Sequence, residues 1–200
     1  MLSLEEGIKA VKLARETIER YVKGEPKITE KLSAKFDQKL GVFVTINTYP
    51  EKELRGCIGY LESSLELANA IIESAQNACN DPRFEPLTEQ EIDKIVVELS
   101  ILTHPELIEV RHPLEYKEKI KIGVDGLIAE KALFRGILLP QVPVEWKWDE
   151  EDFLTHVCMK AGLPPDAWLS KDIKIYKFQA QIFSEVSPRG KIVERKLVEE

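Results

Sequence analysis

The stretch Leu54-Arg55-Gly56-Cys57-Ile58-Gly59-Tyr60 constrains the fold of this chain more than any other. Side chains alternate between the two faces of an extended strand, so Arg55, Cys57 and Gly59 fall on one face and Gly56 on the other. A cation and a thiol therefore point the same way. The two glycines leave the strand without bulk, as the close approach of a ligand or of another backbone requires. The stretch is either a ligand site or a tightly packed strand.

Cys57 is the candidate catalytic nucleophile, because a permanent cation such as Arg55 stabilises a neighbouring thiolate. The sequence identifies no general base for it. The three histidines are His104, His112 and His156, and nothing in their spacing relates them to Cys57. The alternative interpretation is that Cys57 is a small buried apolar residue and that Arg55 is paired with an acid for structural reasons. Whether the protein is an enzyme stays open.

Arg83 is a second candidate, in a loop that the sequence makes stiff. The dipeptide Asp81-Pro82 ends the preceding helix, because a residue before proline is pushed out of the helical region and proline has no N–H to donate. A rigid loop that presents an arginine suits recognition of a carboxylate or phosphate. The alternative is structural: Arg83 pairs with Asp81, and Phe84 fills the core.

Two polar residues complete the candidate site. Glu98 lies on the polar side of a predicted strand, as an acid facing the site or as a partner for Arg55 or Arg83. Gln141 follows Leu139-Pro140 and places an amide just past a strand end, where it either contacts a ligand or simply helps to end the strand. The predicted ligand-binding set is Arg55, Gly56, Gly59, Arg83, Glu98 and Gln141.

Composition narrows the classes of partner. The formal net charge is −7 and the pI is about 5.2, so the chain offers no broad positive field, and any RNA binding must be local. The three cysteines are far apart and form no CxxC pair, which predicts neither a disulfide framework nor a structural zinc. No other metal-ligand spacing and no GxGxxG after a strand is present, so we expect no metal and no cofactor.

Hydropathy predicts a cytoplasmic protein. No apolar run approaches the ~20 residues of a membrane span, and the acidic amphipathic N-terminus differs from a signal peptide. We therefore expect no membrane partner.

The order of helical and strand patterns predicts the α+β class, with a mainly antiparallel sheet flanked by helices. Three capping-box pairs predict helix starts: Ser3 with Glu6, Ser63 with Glu66, and Thr88 with Glu91. Strands are predicted over 41–48 and 54–60 as a hairpin, and Asp125-Gly126 predicts a second hairpin turn. No linker divides residues 1–200, which we expect to form a single domain with a loose charged tail over 187–200.

The motifs together resemble the AMMECR domain family, named for a human chromosomal-region deletion syndrome. The resemblance rests on Leu54-Arg55-Gly56-Cys57-Ile58-Gly59, Asp81-Pro82-Arg83-Phe84, Leu139-Pro140-Gln141-Val142, Lys160-Ala161-Gly162 and Trp168. The order and spacing of these motifs cover nearly the whole chain. The stretches Pro143-Val144-Glu145-Trp146 and Ala161-Gly162-Leu163-Pro164-Pro165 are similar to the archaeal branch.

The resemblance implies a fold and a context rather than a reaction. It implies two unequal lobes with the Arg-Gly-Cys strand near a cleft between them. It also implies a modification pathway shared with Memo-like and radical-SAM proteins, with RNA as one substrate. The family offers no verified set of catalytic residues. Two functions stay open: an enzyme that uses the cleft Cys/Arg motif, or a non-catalytic module that binds a small molecule or a pathway protein in the same cleft.

Overall fold

The computed structural model describes residues 1–26, 28 and 33–197. The chain divides into two compact units. Among the described residues, unit 1 comprises Met1–Leu102 and Gln181–Arg195, and unit 2 comprises Thr103–Ala180 with Lys196 and Leu197. Over the described ranges, no helix combines the length and the apolar character needed to cross a membrane.

The described residues form five α-helices and eight strands. The helices are α1 (Leu4–Val22), α2 (Leu67–Ala78), α3 (Tyr116–Lys119), α4 (Gln141–Trp146) and α5 (Glu150–Lys160). The strands are β1 (Gly41–Thr48), β2 (Leu54–Tyr60), β3 (Ile95–Leu102), β4 (Glu106–Leu107), β5 (Asp125–Lys131), β6 (Phe134–Leu138), β7 (Lys174–Glu185) and β8 (Ile192–Arg195). Short 3-10 turns over 34–37, 89–94, 113–115 and 167–169 connect them.

The sheet follows the hydrogen-bonded order β2-β1-β3-β7-β5-β6, and β4 and β8 each pair with β7. Every strand pair with a described register is antiparallel. The predicted α+β class with a mainly antiparallel sheet is therefore confirmed. Strand β2, which carries the Arg-Gly-Cys stretch, is terminal in this order, so one of its edges pairs with no other strand of the described residues.

In unit 1, the two faces of strands β1 to β3 differ in character. One face contributes apolar side chains to a core shared with α1 and α2; its sheet members include Val42, Val44, Ile46, Val97, Leu99 and Ile101. The opposite face carries Thr45 and Cys57, which are half-buried, and Glu98, which is buried. The alternation of side chains along each strand therefore separates a packing face from a face with polar groups.

Two of the three predicted helix starts are confirmed. The Ser3 hydroxyl accepts from the Glu6 amide at 3.2 Å, while the Glu6 carboxylate accepts from the Ser3 amide at 2.8 Å. The Thr88 and Glu91 pair marks the start of the 3-10 turn, where the Glu91 carboxylate accepts from the Thr88 amide at 2.9 Å and from its hydroxyl at 2.8 Å. The Ser63 and Glu66 prediction is wrong. Helix α2 begins only at Leu67, because the Ser63 hydroxyl instead accepts from the Leu65 amide and closes a local turn.

A buried ion pair joins α1 to the end of β7. Nε of Arg15 donates to Glu185 at 3.0 Å, and the same guanidinium donates to the carbonyls of Ile92 at 3.1 Å and Ile95 at 2.8 Å. Glu185 in turn accepts from the Val97 amide at 3.0 Å. Because each buried charge is paired and hydrogen-bonded, the cost of removing it from water is offset.

The hairpin turn predicted at Asp125-Gly126 is wrong. Asp125 starts β5, where its carboxylate accepts from the Lys121 amide at 2.9 Å, so it closes the turn before the strand. The Gly126 position is filled by Phe178, whose ring would lie 2.3 Å from an added Cβ. The hairpin turn instead consists of Ala132 and Leu133, directly after the end of β5, and Ala132 has φ of 54°.

The tail predicted to be loose over 187–200 contains a strand. A turn in which the Gly190 amide donates to the Ser187 carbonyl at 2.8 Å brings β8 back along β7. Ile192 is then buried, and Gln181 donates to Glu194 at 2.8 Å. The adjacent β-branched residues Ile192 and Val193 were the only local signal for this strand. Residues 198–200 lie outside the described part of the chain.

Candidate functional site

Cys57 lies in a row of side chains that crosses three strands of unit 1. The register pairs Cys57 with Thr45, and Thr45 with Glu98. Directly paired residues share a face of the sheet, so the three side chains are neighbours on the polar face. The Thr45 hydroxyl donates to the Cys57 sulfur at 3.3 Å. The site is therefore centred on a thiol that accepts a hydrogen bond from a hydroxyl.

The loop after α2 closes the free edge of β2 at Cys57. The Asp81 carboxylate accepts from the Cys57 amide at 2.9 Å, and the Arg83 guanidinium donates to the Cys57 carbonyl at 3.4 Å. The Cys57 amide thus points away from β1. Along an antiparallel strand every second amide points to the same edge, so the Gly59 amide also points away from β1. The Gly59 amide has no hydrogen-bond acceptor among the described residues. The loop satisfies one residue of the edge and leaves the next one open.

The Asp81 carboxylate also fixes Arg83. It accepts from Nε of Arg83 at 3.0 Å, from a terminal guanidinium nitrogen at 2.6 Å and from the Arg83 amide at 3.1 Å. These hydrogen bonds hold the pKa of Asp81 well below its usual range, and the carboxylate raises the pKa of Arg83. The structural alternative from the sequence, an Asp81–Arg83 pair, is present.

Phe84 does not fill the core as that alternative supposed. It is half-buried, and its ring centroid lies 5.6 Å from the Arg83 guanidinium carbon and 5.9 Å from that of Arg55. Both distances are within the range of a cation–π interaction. Phe84 therefore separates two arginines and supports each of them.

Arg55 is turned away from the Cys57 thiol. The β1–β2 register pairs Ile46 with Gly56 but Asn47 with Leu54, so Arg55 is the extra residue of a β-bulge. Its guanidinium forms a fork with Glu91, at 2.7 and 3.3 Å. The sequence predicted that the Arg55 guanidinium would lie beside the Cys57 thiol, and in the structure it pairs with Glu91 instead.

The two glycines predicted to bind a ligand are instead covered by neighbouring residues of unit 1. Gly56 is on the opposite face from the thiol, where an added Cβ would lie 2.3 Å from the Ala78 carbonyl oxygen. At Gly59 an added Cβ would lie 2.5 Å from Cα of Phe43, its partner on β1. The close approach that these glycines permit is an approach of backbone and side chain within unit 1.

Glu98 and Gln141 belong to different surroundings. Glu98 pairs with Arg195 of β8, rather than with Arg55 or Arg83 as the sequence suggested. Gln141 begins α4 in unit 2, and its side-chain oxygen is buried without a hydrogen-bond partner among the described residues. Of the predicted set, the structure brings Arg83 to the backbone of Cys57 and places Glu98 in the same cross-strand row.

The Cys57 thiol is held in its protonated form. Burial raises its pKa, while the Thr45 hydrogen bond and the Arg83 charge lower it; Asp81 and Glu98 raise it further, and the net direction is upward. Arg83, not Arg55, is the cation that acts on this thiol. Burial likewise raises the pKa of Cys79 to about 12 and of Cys158 to about 11.

No described residue accepts a hydrogen bond from the Cys57 thiol. All three histidines lie within 103–180, which is unit 2, and the residue that hydrogen-bonds to the thiol is a hydroxyl donor. No group of three or more potential metal-ligating side chains is found in the described residues. The arrangement can bind and orient a ligand more readily than it can activate a thiol.

Sequence reasoning missed Thr45, the backbone role of Asp81, and Arg195. Thr45 could have been predicted from the β1–β2 hairpin, because side-chain alternation along β1 places Thr45 on the same face as Cys57 once the register is known. Arg195 lies 97 positions from Glu98 in the chain, and no local pattern connects them.

Comparisons with known proteins identify the family. The sequence model of the AMMECR1 family matches residues 11–183. Protein MJ0810 of Methanocaldococcus jannaschii is 57% identical over 199 residues, which is 99% of each chain. Protein PH0010 of Pyrococcus horikoshii is 52% identical over 194 residues, or 94% of each chain. The crystal structure of that uncharacterized protein superposes with a TM-score of 0.91 at 49% identity and covers 98% of both chains. This chain belongs to the AMMECR1 family, as the motifs predicted.

The raised pKa of Cys57 predicts slow thiol labelling at neutral pH. We expect the rate of iodoacetamide labelling at Cys57, followed by peptide mass spectrometry, to rise with pH with a midpoint above that of an unstructured cysteine peptide. Thr45→Val should shift the midpoint higher, because it removes a hydrogen bond that lowers the pKa. Thr45→Ser should restore it, and Cys79 and Cys158 serve as internal references. A midpoint at or below that of the unstructured peptide would contradict this account.

The depressed pKa of Asp81 predicts a pH-dependent contribution to stability. The stabilising free energy that Asp81 contributes is fully present above the pKa of an unfolded aspartate, about 4. It is lost as the pH falls toward the lower pKa of the folded state. Asp81→Asn should lower the free energy of unfolding by about 1–3 kcal/mol at pH 7, and the difference from the unmodified protein should shrink between pH 4 and pH 2. Urea unfolding of both proteins at each pH measures this difference in the free energy of unfolding. Asp166→Asn, at an exposed carboxyl, is the control, and a difference independent of pH would count against the Asp81 assignment.

Proposed function

We propose that unit 1 is a recognition module in which Arg83 binds a small ligand that carries a carboxylate or phosphate. The asymmetry of one ion pair carries this proposal. The Asp81 side chain is 1% exposed, whereas the Arg83 side chain is 56% exposed. Solvent, and therefore a ligand, meets the positive end of the pair, while the negative end is occupied by the backbone of β2.

Preorganisation of Arg83 supports the same function. Two of its guanidinium nitrogens are already held by Asp81 and by the Cys57 carbonyl, and Phe84 packs beside it. The third nitrogen forms no hydrogen bond with a described residue and keeps two donors for a ligand. An arginine held in one conformation loses little side-chain entropy when a ligand binds, so more of the binding energy is realised.

Arg55 is a weaker candidate for the same contact. Its side chain is 14% exposed, and both Nε and a terminal nitrogen are committed to Glu91. Its role in the module is to hold Phe84 from the other side. The ligand-facing cation is therefore Arg83.

Thiol-dependent catalysis at Cys57 is a second candidate function. The Thr45 hydrogen bond and the Arg83 charge both favour a thiolate, which is the observation on its side. Burial outweighs both, and the site lacks an identified base. Recognition therefore accounts for more of the geometry than nucleophilic attack does.

The family resemblance supplies the biological setting of the proposal, a modification pathway with Memo-like and radical-SAM proteins. The net charge of −7 favours a small anionic molecule over an RNA as the ligand of this surface. The same Arg83 surface serves equally for an anionic group displayed by a pathway protein.

A thermal-shift experiment with simple anions tests the proposal. Inorganic phosphate, AMP and citrate are compared with sodium chloride at matched ionic strength. At tenfold excess over the dissociation constant, we expect the best anion to raise Tm by about 2–5 °C. Arg83→Gln should abolish the shift, Arg83→Lys should retain part of it, and Cys57→Ser should leave it unchanged.

Each shift is measured against the same variant without anion, so any destabilisation by the substitution cancels. Arg111→Gln, which removes an exposed arginine of unit 2, is the matched control. An equal anion shift in the unmodified protein and in Arg83→Gln would refute binding at Arg83. Loss of the shift in Cys57→Ser would instead favour the thiol as the primary group.

A further inference from the structure

Three aromatic rings stack in unit 2, and we name Trp146, Trp148 and His156 the aromatic ladder. The Trp146 and Trp148 ring centroids are 6.1 Å apart at 21°, and those of Trp148 and His156 are 3.8 Å apart at 14°. Lys147, between the tryptophans, adopts the left-handed conformation at the end of α4, with φ of 55° and ψ of 40°. This change of backbone direction at Lys147 lets the rings of Trp146 and Trp148 stack on each other.

The two ends of the ladder differ in exposure. Trp146 is 68% exposed, whereas Trp148 and His156 are half-buried. Nδ1 of His156 lies 2.8 Å from the Asp152 carbonyl oxygen, which only accepts, so Nδ1 carries the hydrogen and the ring is fixed. By contrast, Trp168 is 3% exposed and packs in the unit 2 core. The ladder thus ends in a large exposed ring that is held by its neighbours and not covered by the core.

A carboxylate accompanies each ring of the ladder. Glu145 precedes Trp146, Asp149 follows Trp148, and Asp152 lies one helical turn before His156. All three carboxylates are exposed, and no described cation forms an ion pair with them. The Asp149 carboxylate caps α5 and accepts from the Glu151 and Asp152 amides, both at 2.9 Å.

The nearby cations leave this negative charge in excess. Lys117 pairs with Glu151, at 2.7 Å, on the same helix as His156. Lys147 is the only basic residue between 145 and 152, against five acidic ones. An exposed aromatic face flanked by carboxylates that no described cation neutralises attracts cations and repels phosphate groups.

We propose that the aromatic ladder and its carboxylates bind an arginine-rich basic segment of a partner protein. A guanidinium is planar, so it stacks on the exposed Trp146 ring and donates two parallel hydrogen bonds to a flanking carboxylate at the same time. Lysine offers a compact charge without the planar stacking surface. Single-stranded RNA also stacks on tryptophan, but its phosphates would face Glu145, Asp149 and Asp152. This surface is in unit 2 and is independent of Arg83.

Calorimetric titration with acetyl-hexaarginine amide at 50 mM NaCl tests the inference on the full chain. We expect binding that weakens about five- to tenfold in Trp146→Ala, because one cation–π contact is lost. Glu145→Gln combined with Asp152→Asn should weaken it further and reduce its salt dependence. Acetyl-hexalysine amide should bind more weakly than hexaarginine to the unmodified protein.

Matched controls separate the ladder from general electrostatics. Leu133→Ala removes another apolar side chain of unit 2, one that is 99% exposed, and Glu51→Gln removes an exposed carboxylate of unit 1. Neither should change hexaarginine binding. Equal hexaarginine affinity in the unmodified protein and Trp146→Ala, or equal affinity for hexalysine, would overturn the proposal. Binding of a ten-nucleotide uridine RNA that Trp146→Ala abolishes would overturn it in favour of base stacking.

Discussion

The buried carboxylate of Asp81 is the group on which the unit 1 site depends. It accepts the Cys57 amide, the Arg83 amide and two nitrogens of the Arg83 guanidinium. An edge strand needs its outward backbone groups satisfied, and a carboxylate with only 1% of its side chain exposed needs donors and a counter-charge. One residue meets both requirements. The proline beside it ends α2 and brings the loop to the strand, so secondary structure, edge protection and presentation of Arg83 have a common origin.

The same arrangement is the basis of the proposal that the site serves recognition rather than thiol chemistry. Cations in this part of unit 1 are matched to carboxylates: Arg83 to Asp81, Arg55 to Glu91 and Arg195 to Glu98. Little positive charge remains uncompensated to stabilise a thiolate, and burial keeps the Cys57 pKa raised. The exposed guanidinium of Arg83 nevertheless stays available to a ligand. The pairing of charges thus makes the site rigid and leaves one cationic group facing solvent.

Local patterns predicted the elements, and the contacts between distant residues had to come from the structure. A β-branched and aromatic run predicted β1, and alternation predicted the faces of β2 and β3. The Ser3 capping box predicted the start of α1, and each of these signals depends on neighbouring residues. The turn predicted at Asp125-Gly126 was wrong, because the buried Phe178 ring packs on Gly126 and the Asp125 carboxylate closes the preceding turn. The bulge at Arg55 and the Glu98–Arg195 pair depend on register and on residues far apart in sequence. The motifs carried the family assignment but not the direction in which each side chain points.

Amide hydrogen exchange at Cys57 tests the central claim most directly. Cys57 and Gly59 both direct their amides away from β1, and Asp81 accepts only the first. The account predicts strong protection of the Cys57 amide, fast exchange of the Gly59 amide, and loss of the Cys57 protection in Asp81→Ala while the amides of β1 stay protected. Equal exchange rates at Cys57 and Gly59 in the unmodified protein, or unchanged Cys57 protection in Asp81→Ala, would contradict it.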